Sequence, residues 1–160
     1  MTAFPYRRIR VAAGAAGLAA GLVMAGGGVS AAGDPGGRPL TAVLTGAAEV
    51  NAQGVPNQGD LDGTGTARIT VNPGQNVVCW DIEVSGIATP TRGHIHQAPA
   101  GVNGPIVVEF FEVGDGPVLQ GCTTPTGTTA QEILRDPAAF YVNIHNADFP
   151  AGALRGQLSR

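Results

Sequence analysis

The chain has 160 residues, of which 43% are apolar, 13% charged and 5% aromatic, with 25 Gly, 12 Pro and a formal charge of −3. That length holds one domain once a targeting segment is set aside, and scarce charge with abundant Gly and Pro predicts a turn-rich all-β protein rather than a helical one. Every basic residue is an arginine and no basic stripe exists, which argues against nucleic acid or an anionic membrane surface as partner.

Residues 1–32 read as a secretory signal peptide. Arg7, Arg8 and Arg10 form its positive end, Val11 to Met24 its apolar centre, and Val29-Ser30-Ala31 a small-residue cleavage site, with the cut after Ala31 or after Ala32. Glycines through this stretch make a poor spanning helix, so a retained anchor is disfavoured. The Arg7-Arg8 pair leaves twin-arginine export open beside the general route. Taking these three arginines from nine leaves six against twelve Asp plus Glu, so the mature chain is acidic. Residues 33–39 are expected to be a flexible tether, and 40–160 the folded domain.

Leu40 to Thr45 alternates as a first strand. Residues 46–62, polar and rich in Gly, Asn and Gln, are expected to form a long surface loop. Asp60 and Asp62 near its end lack the companion oxygens of a calcium loop and are expected to shape a turn. Thr64 to Val71 and Val77 to Ser85 read as a hairpin about Asn72-Pro73-Gly74-Gln75. Its inward residues are Ala67, Ile69 and Val71, then Val78, Trp80, Ile82 and Val84, with Trp80 a core anchor.

Cys79 falls on the opposite face, beside Asp81 and Glu83. With Cys122 it makes an even pair in an exported chain, most simply a disulfide pinning something to the outside of the sheet. The alternative, one cysteine as a soft ligand to copper, would leave the other a free thiol in an oxidising compartment.

Gly93-His94-Ile95-His96-Gln97 carries the chemistry. Successive strand residues point to opposite faces, so His94 and His96 project together while Ile95 points inward. A Gly/Pro/Asn loop leads to a second buried strand, Ile106 to Val113, in which Glu109 is placed on the face of Val107 and Phe111. That carboxylate is a ligand, a salt-bridge partner or, the preferred reading, a solvent-facing edge residue. Gly114-Asp115-Gly116 turns the chain into a short strand, Pro117 to Cys122. Thr129-Ala130-Gln131-Glu132 has capping-box spacing and opens a two-turn helix that ends before Pro137. Tyr141 to His145 is a strand with Val142 and Ile144 inside, so the third histidine points outward. The last strand, Ala153 to Leu158, is expected to bury Leu154 and Leu158 and expose Arg155 and Gln157. Eight short antiparallel strands and one helix predict a Greek-key β-sandwich or barrel.

His94, His96 and His145 are the whole histidine content, and all three fall on an outward face. Three imidazoles with one open position suit copper or zinc. No Ser/His/Asp or Cys/His pattern accompanies them, so binding is expected rather than turnover.

Two stretches resemble the CHRD domain, the module named after chordin: Gly93-His94-Ile95-His96 with Gly101-Val102-Asn103-Gly104-Pro105-Ile106-Val107-Val108, and Phe140 to His145 with Pro150 to Leu158. Leu44-Thr45-Gly46-Ala47-Ala48-Glu49-Val50 adds a third segment at the front. The chain departs from that pattern at Gln97-Ala98 and at Ala153-Leu154, where the family tends to have glycine and Glu-Ile. The resemblance implies an exported β domain of unassigned biochemistry that binds an extracellular protein or matrix ligand. The His-x-His strand is also similar to the copper strand of copper/zinc superoxide dismutases, which implies a copper-dependent redox enzyme or a copper carrier as the alternative. The chain lacks the fourth histidine and zinc cluster of a bridged dismutase site.

Overall fold

A computed structural model describes residues 37–112 and 119–160. The expected signal peptide, the start of the tether and the Gly114-Asp115-Gly116 turn lie outside these residues. Within them the chain is all-β: β1 (Arg38–Thr45), β2 (Thr64–Asn72), β3 (Val77–Ser85), β4 (Pro90–Gln97), β5 (Ile106–Phe111), β6 (Gln120–Thr123), β7 (Phe140–Asn146) and β8 (Leu154–Gln157), with one short helix, α1 (Ala130–Arg135). The first strand starts at Arg38, so the last two residues assigned to the tether are paired backbone.

The strands form one antiparallel sheet in the order β5-β4-β7-β8-β1-β2-β3-β6. The sheet curls until its two edges meet. Just past β6, the Thr126 and Gly127 N–H groups both donate to the Val107 carbonyl of β5, which blunts the exposed edge. β4, β5 and β6 then run side by side and β7 returns to the far flank of β4, a Greek-key path.

Alternating apolar residues fill the inside. Leu40, Ala42 and Leu44 of β1 face Ala67, Ile69 and Val71 of β2 and Val78, Trp80 and Ile82 of β3. Trp80 stacks on Phe110 across the interior at 4.7 Å between ring centroids. Below them Ile133 and Leu134 of α1 close one end. That helix starts as its sequence dictates: the Glu132 N–H donates to Thr129 Oγ1, and the Glu132 carboxylate accepts from the Thr129 N–H. Cys79 and Cys122 are disulfide-bonded and directly opposite in the β3–β6 ladder, so the bond fastens the last strand of the sheet.

One local reading fails. Glu109 does not share the orientation of Val107 and Phe111, which are buried while Glu109 is exposed. Register shifts between Gly93 and His94 and between Ile95 and His96 interrupt the β4–β5 ladder, and strict alternation on β5 is lost with them.

Candidate metal centre

Antiparallel register assembles the site. In the β4–β7 ladder Arg92 lies opposite His145, His94 opposite Asn143 and His96 opposite Tyr141. In the β7–β8 ladder Asn143 lies opposite Arg155 and Tyr141 opposite Gln157. Because faces alternate, these polar residues share one side of three adjoining strands, while Ile95, Val142 and Ile144 fill the barrel on the other. Residues far apart in sequence thus become neighbours. One ring nitrogen from each of His94, His96 and His145 lies within 4.8 Å of one from each of the others.

The hydrogen bonds decide which nitrogens are free. His96 Nδ1 lies 2.9 Å from the Gly104 carbonyl, and His145 Nδ1 lies 3.1 Å from the Pro150 carbonyl. A carbonyl can only accept, so both rings carry their proton on Nδ1 and present a bare Nε2. His94 Nε2 faces the Glu112 carboxylate at 3.0 Å and donates to it, which turns Nδ1 toward His145. His94 Nδ1 and His145 Nε2 stand 3.2 Å apart, and His96 Nε2 is buried without a partner. Two nitrogens at about 2.0–2.1 Å from a tetrahedral ion would be roughly 3.3 Å apart. Metal-binding histidines characteristically donate their second N–H to a carbonyl or carboxylate, and all three rings do so here.

Electrostatics favour the same state. Burial pushes the His145 pKa down to about 4, helped by the neighbouring His94 ring and opposed by the Pro150 carbonyl. Burial also lowers His96, against the pull of the Gly104 carbonyl. Both rings are therefore neutral at neutral pH, the form a metal requires. The three imidazoles could together hold a metal ion.

The outward face is not an exposed one, which corrects the expectation for this side of the sheet. His94 and His145 are only 1% and 7% exposed, and His96 is half-buried. The segment expected to be a long surface loop packs beside them, where Glu49 meets Asn143 and Gly59 meets Ala153, and Glu49, Val50 and Gly59 are buried. Asp60 behaves as expected, its carboxylate accepting from the Asp62 N–H in a turn.

Arg155, expected to be exposed, is 1% exposed. Its guanidinium lies 3.5 Å from the Tyr141 ring centroid and donates to Asn103 Oδ1, the Pro99 carbonyl and the Val102 carbonyl. Tyr141 in turn stacks on His96 at 4.9 Å, and its hydroxyl accepts from the Gly104 N–H. Arg155 thereby holds the 99–104 loop whose Gly104 carbonyl orients His96. Gly104 has no room for a side chain, since a Cβ there would run into the Gln97 carbonyl.

Sequence reasoning missed Glu112, Asn143, Tyr141 and Arg155. Strand parity alone puts Asn143 and Tyr141 on the face of His145, so that signal was present. Glu112 had none: His94 lies opposite Glu109 in the β4–β5 ladder, yet its Nε2 meets the carboxylate of Glu112, just past the end of β5. Glu109 sits beside them, forming with His94 and Glu112 a second, more open group of possible ligands within 4.8 Å. A groove of about 490 Å³ on β1–β3, lined by Val43, Thr64, Thr66 and Glu83 among others, includes none of the histidines.

No helix among the described residues is long and apolar enough to cross a membrane. The disulfide is consistent with an extracellular protein. No curated protein and no solved structure matches the chain. The family model described as CHRD domain matches residues 40–158, from the first core residue of β1 to the last leucine, and the chain belongs to the CHRD domain family.

Proposed function

We propose that this CHRD domain is an exported binding module that holds one transition-metal ion, copper or zinc, on His94 Nδ1, His96 Nε2 and His145 Nε2. One observation carries the reading: each ring's other nitrogen is already committed to Gly104, Pro150 or Glu112, which turns the three remaining nitrogens toward one another. The Arg7-Arg8-Arg10 leader pattern and the disulfide support export, and the acidic charge balance suits an extracellular protein or matrix ligand rather than nucleic acid. A copper-dependent redox enzyme or a copper carrier would draw on the same donors. Burial of His94 and His145 favours a resident ion over one handed on to a recipient.

Metal analysis of the full chain purified from its export compartment tests this. The expected result is one copper or zinc per chain, lost in His96→Ala while the fold is kept by circular dichroism. Metal-free protein that takes up neither ion with a Kd below micromolar would overturn the reading.

A further inference from the structure

Asn143 is the uncharged polar side chain set among the ligands. It is 1% exposed, stands opposite His94 in the β4–β7 ladder, and precedes His145 by two residues on the same face. Directly opposed residues keep their Cβ atoms about 4.5–5.5 Å apart, so its carboxamide borders the triad. The orientation of that amide is settled by its partners. Nδ2 donates to the Glu49 carboxylate and to the Leu154 carbonyl, both acceptors, which uses both N–H groups. Oδ1 is left buried with no partner.

A buried amide oxygen without a donor is destabilising, and proteins ordinarily satisfy such a group with protein or water. The neighbouring imidazoles cannot supply the proton, since their N–H groups point to Gly104, Pro150 and Glu112. A water on the open position of the ion can, because coordination makes its O–H a stronger donor. We propose that Asn143 Oδ1 accepts a hydrogen bond from a water bound to the metal at its fourth position, and that Glu49 acts as the positioning residue that turns the amide oxygen toward it. This rests on the metal reading above. Gly152 belongs to the same arrangement: its φ is +147°, and any side chain there would overlap the Glu49 carboxylate.

Crystal structures of the full-length protein, metal-free and zinc-loaded, test the proposal, together with zinc titrations of wild type and Asn143→Leu. The expected loaded structure has zinc on three imidazoles and one water, with that water within hydrogen-bond distance of Asn143 Oδ1 and absent without zinc. Asn143→Leu is expected to bind zinc about tenfold more weakly. If that variant does not fold, the two wild-type structures decide alone. Zinc on the histidines with no water at Asn143, with Oδ1 itself as ligand, or with a water that persists unchanged in the metal-free protein overturns the inference and leaves the metal reading standing. Zinc absent from the histidines overturns both.

Discussion

Glu49 is a carboxyl group enclosed by its own loop, with the amide of Asn143 as donor and the charge of Arg155 nearby. Burial outweighs both and raises its pKa from 4.5 to about 7. A raised pKa means the folded state holds this proton more tightly than the unfolded chain does. The associated stability is fully present below about pH 4.5 and lost as pH rises through 7, a span worth roughly 3 kcal/mol. In metal-free protein, Glu49→Gln keeps an oxygen for Asn143 and removes the titration. Its stability relative to wild type is therefore expected to improve between pH 5 and pH 8, read from urea midpoints at each pH; a constant difference would contradict the assignment. His145 works in the opposite sense. Its folded pKa of about 4 lies below the usual 6.5, so the unfolded chain binds the proton first and stability falls as pH drops from 6.5 toward 4. His145→Gln is expected to flatten that acid limb.

Among the elements, the 99–104 loop and α1 make an instructive contrast. Asn103 accepts from Arg155 while its own amide donates to the Val50 and Asn51 carbonyls, so one side chain ties β8 to two covering loops. Asn103→Ala leaves a buried guanidinium short of a partner and is expected to cost about 1–3 kcal/mol. It should also weaken metal binding several-fold, because the Gly104 carbonyl that orients His96 is the next residue. Thr129→Ala removes the cap of α1 and is expected to cost about 1 kcal/mol with metal affinity unchanged. Thermal unfolding and metal titration of the two variants, side by side, would separate cover from scaffold; equal metal affinities would show that the loop does not orient His96.

For the molecule as a whole, the weak seam is where the sheet closes. β6 contributes only four residues, and the Cys79–Cys122 bond holds it to β3 across a separation of 43 residues. In the chain-entropy model that cross-link contributes roughly 4 kcal/mol. Replacing both cysteines with serine is expected to lower the guanidinium midpoint accordingly and to speed amide exchange at Gln120–Thr123 ahead of β1 and β2. Uniform loss of protection across all strands would instead mean that the seam opens only with global unfolding. Metal binding should persist in this variant, since the histidines lie on β4 and β7, which β5 separates from β6.

Local chemistry wrote much of this in advance. Period-two alternation placed Ala67, Ile69, Trp80, Ile82, Val142 and Ile144 inside, and the same parity put the three histidines on one side of their strands. Thr129 and Glu132 announced the helix, and an even cysteine count announced the disulfide. Alternation reports only which side of its own strand a residue occupies. Whether that side meets water depends on segments distant in sequence. Arg155 looked exposed because nothing adjacent in the chain shows that the 99–104 loop will accept its hydrogen bonds. Glu112 meets His94 although the ladder sets Glu109 opposite it, a contact that strand parity does not report. The sequence by itself determined the strands, their inner faces and the donor atoms available. Only tertiary structure decided that three rings converge, which nitrogens stay free and that the face carrying them is covered, because each of those depends on contacts between residues remote along the chain.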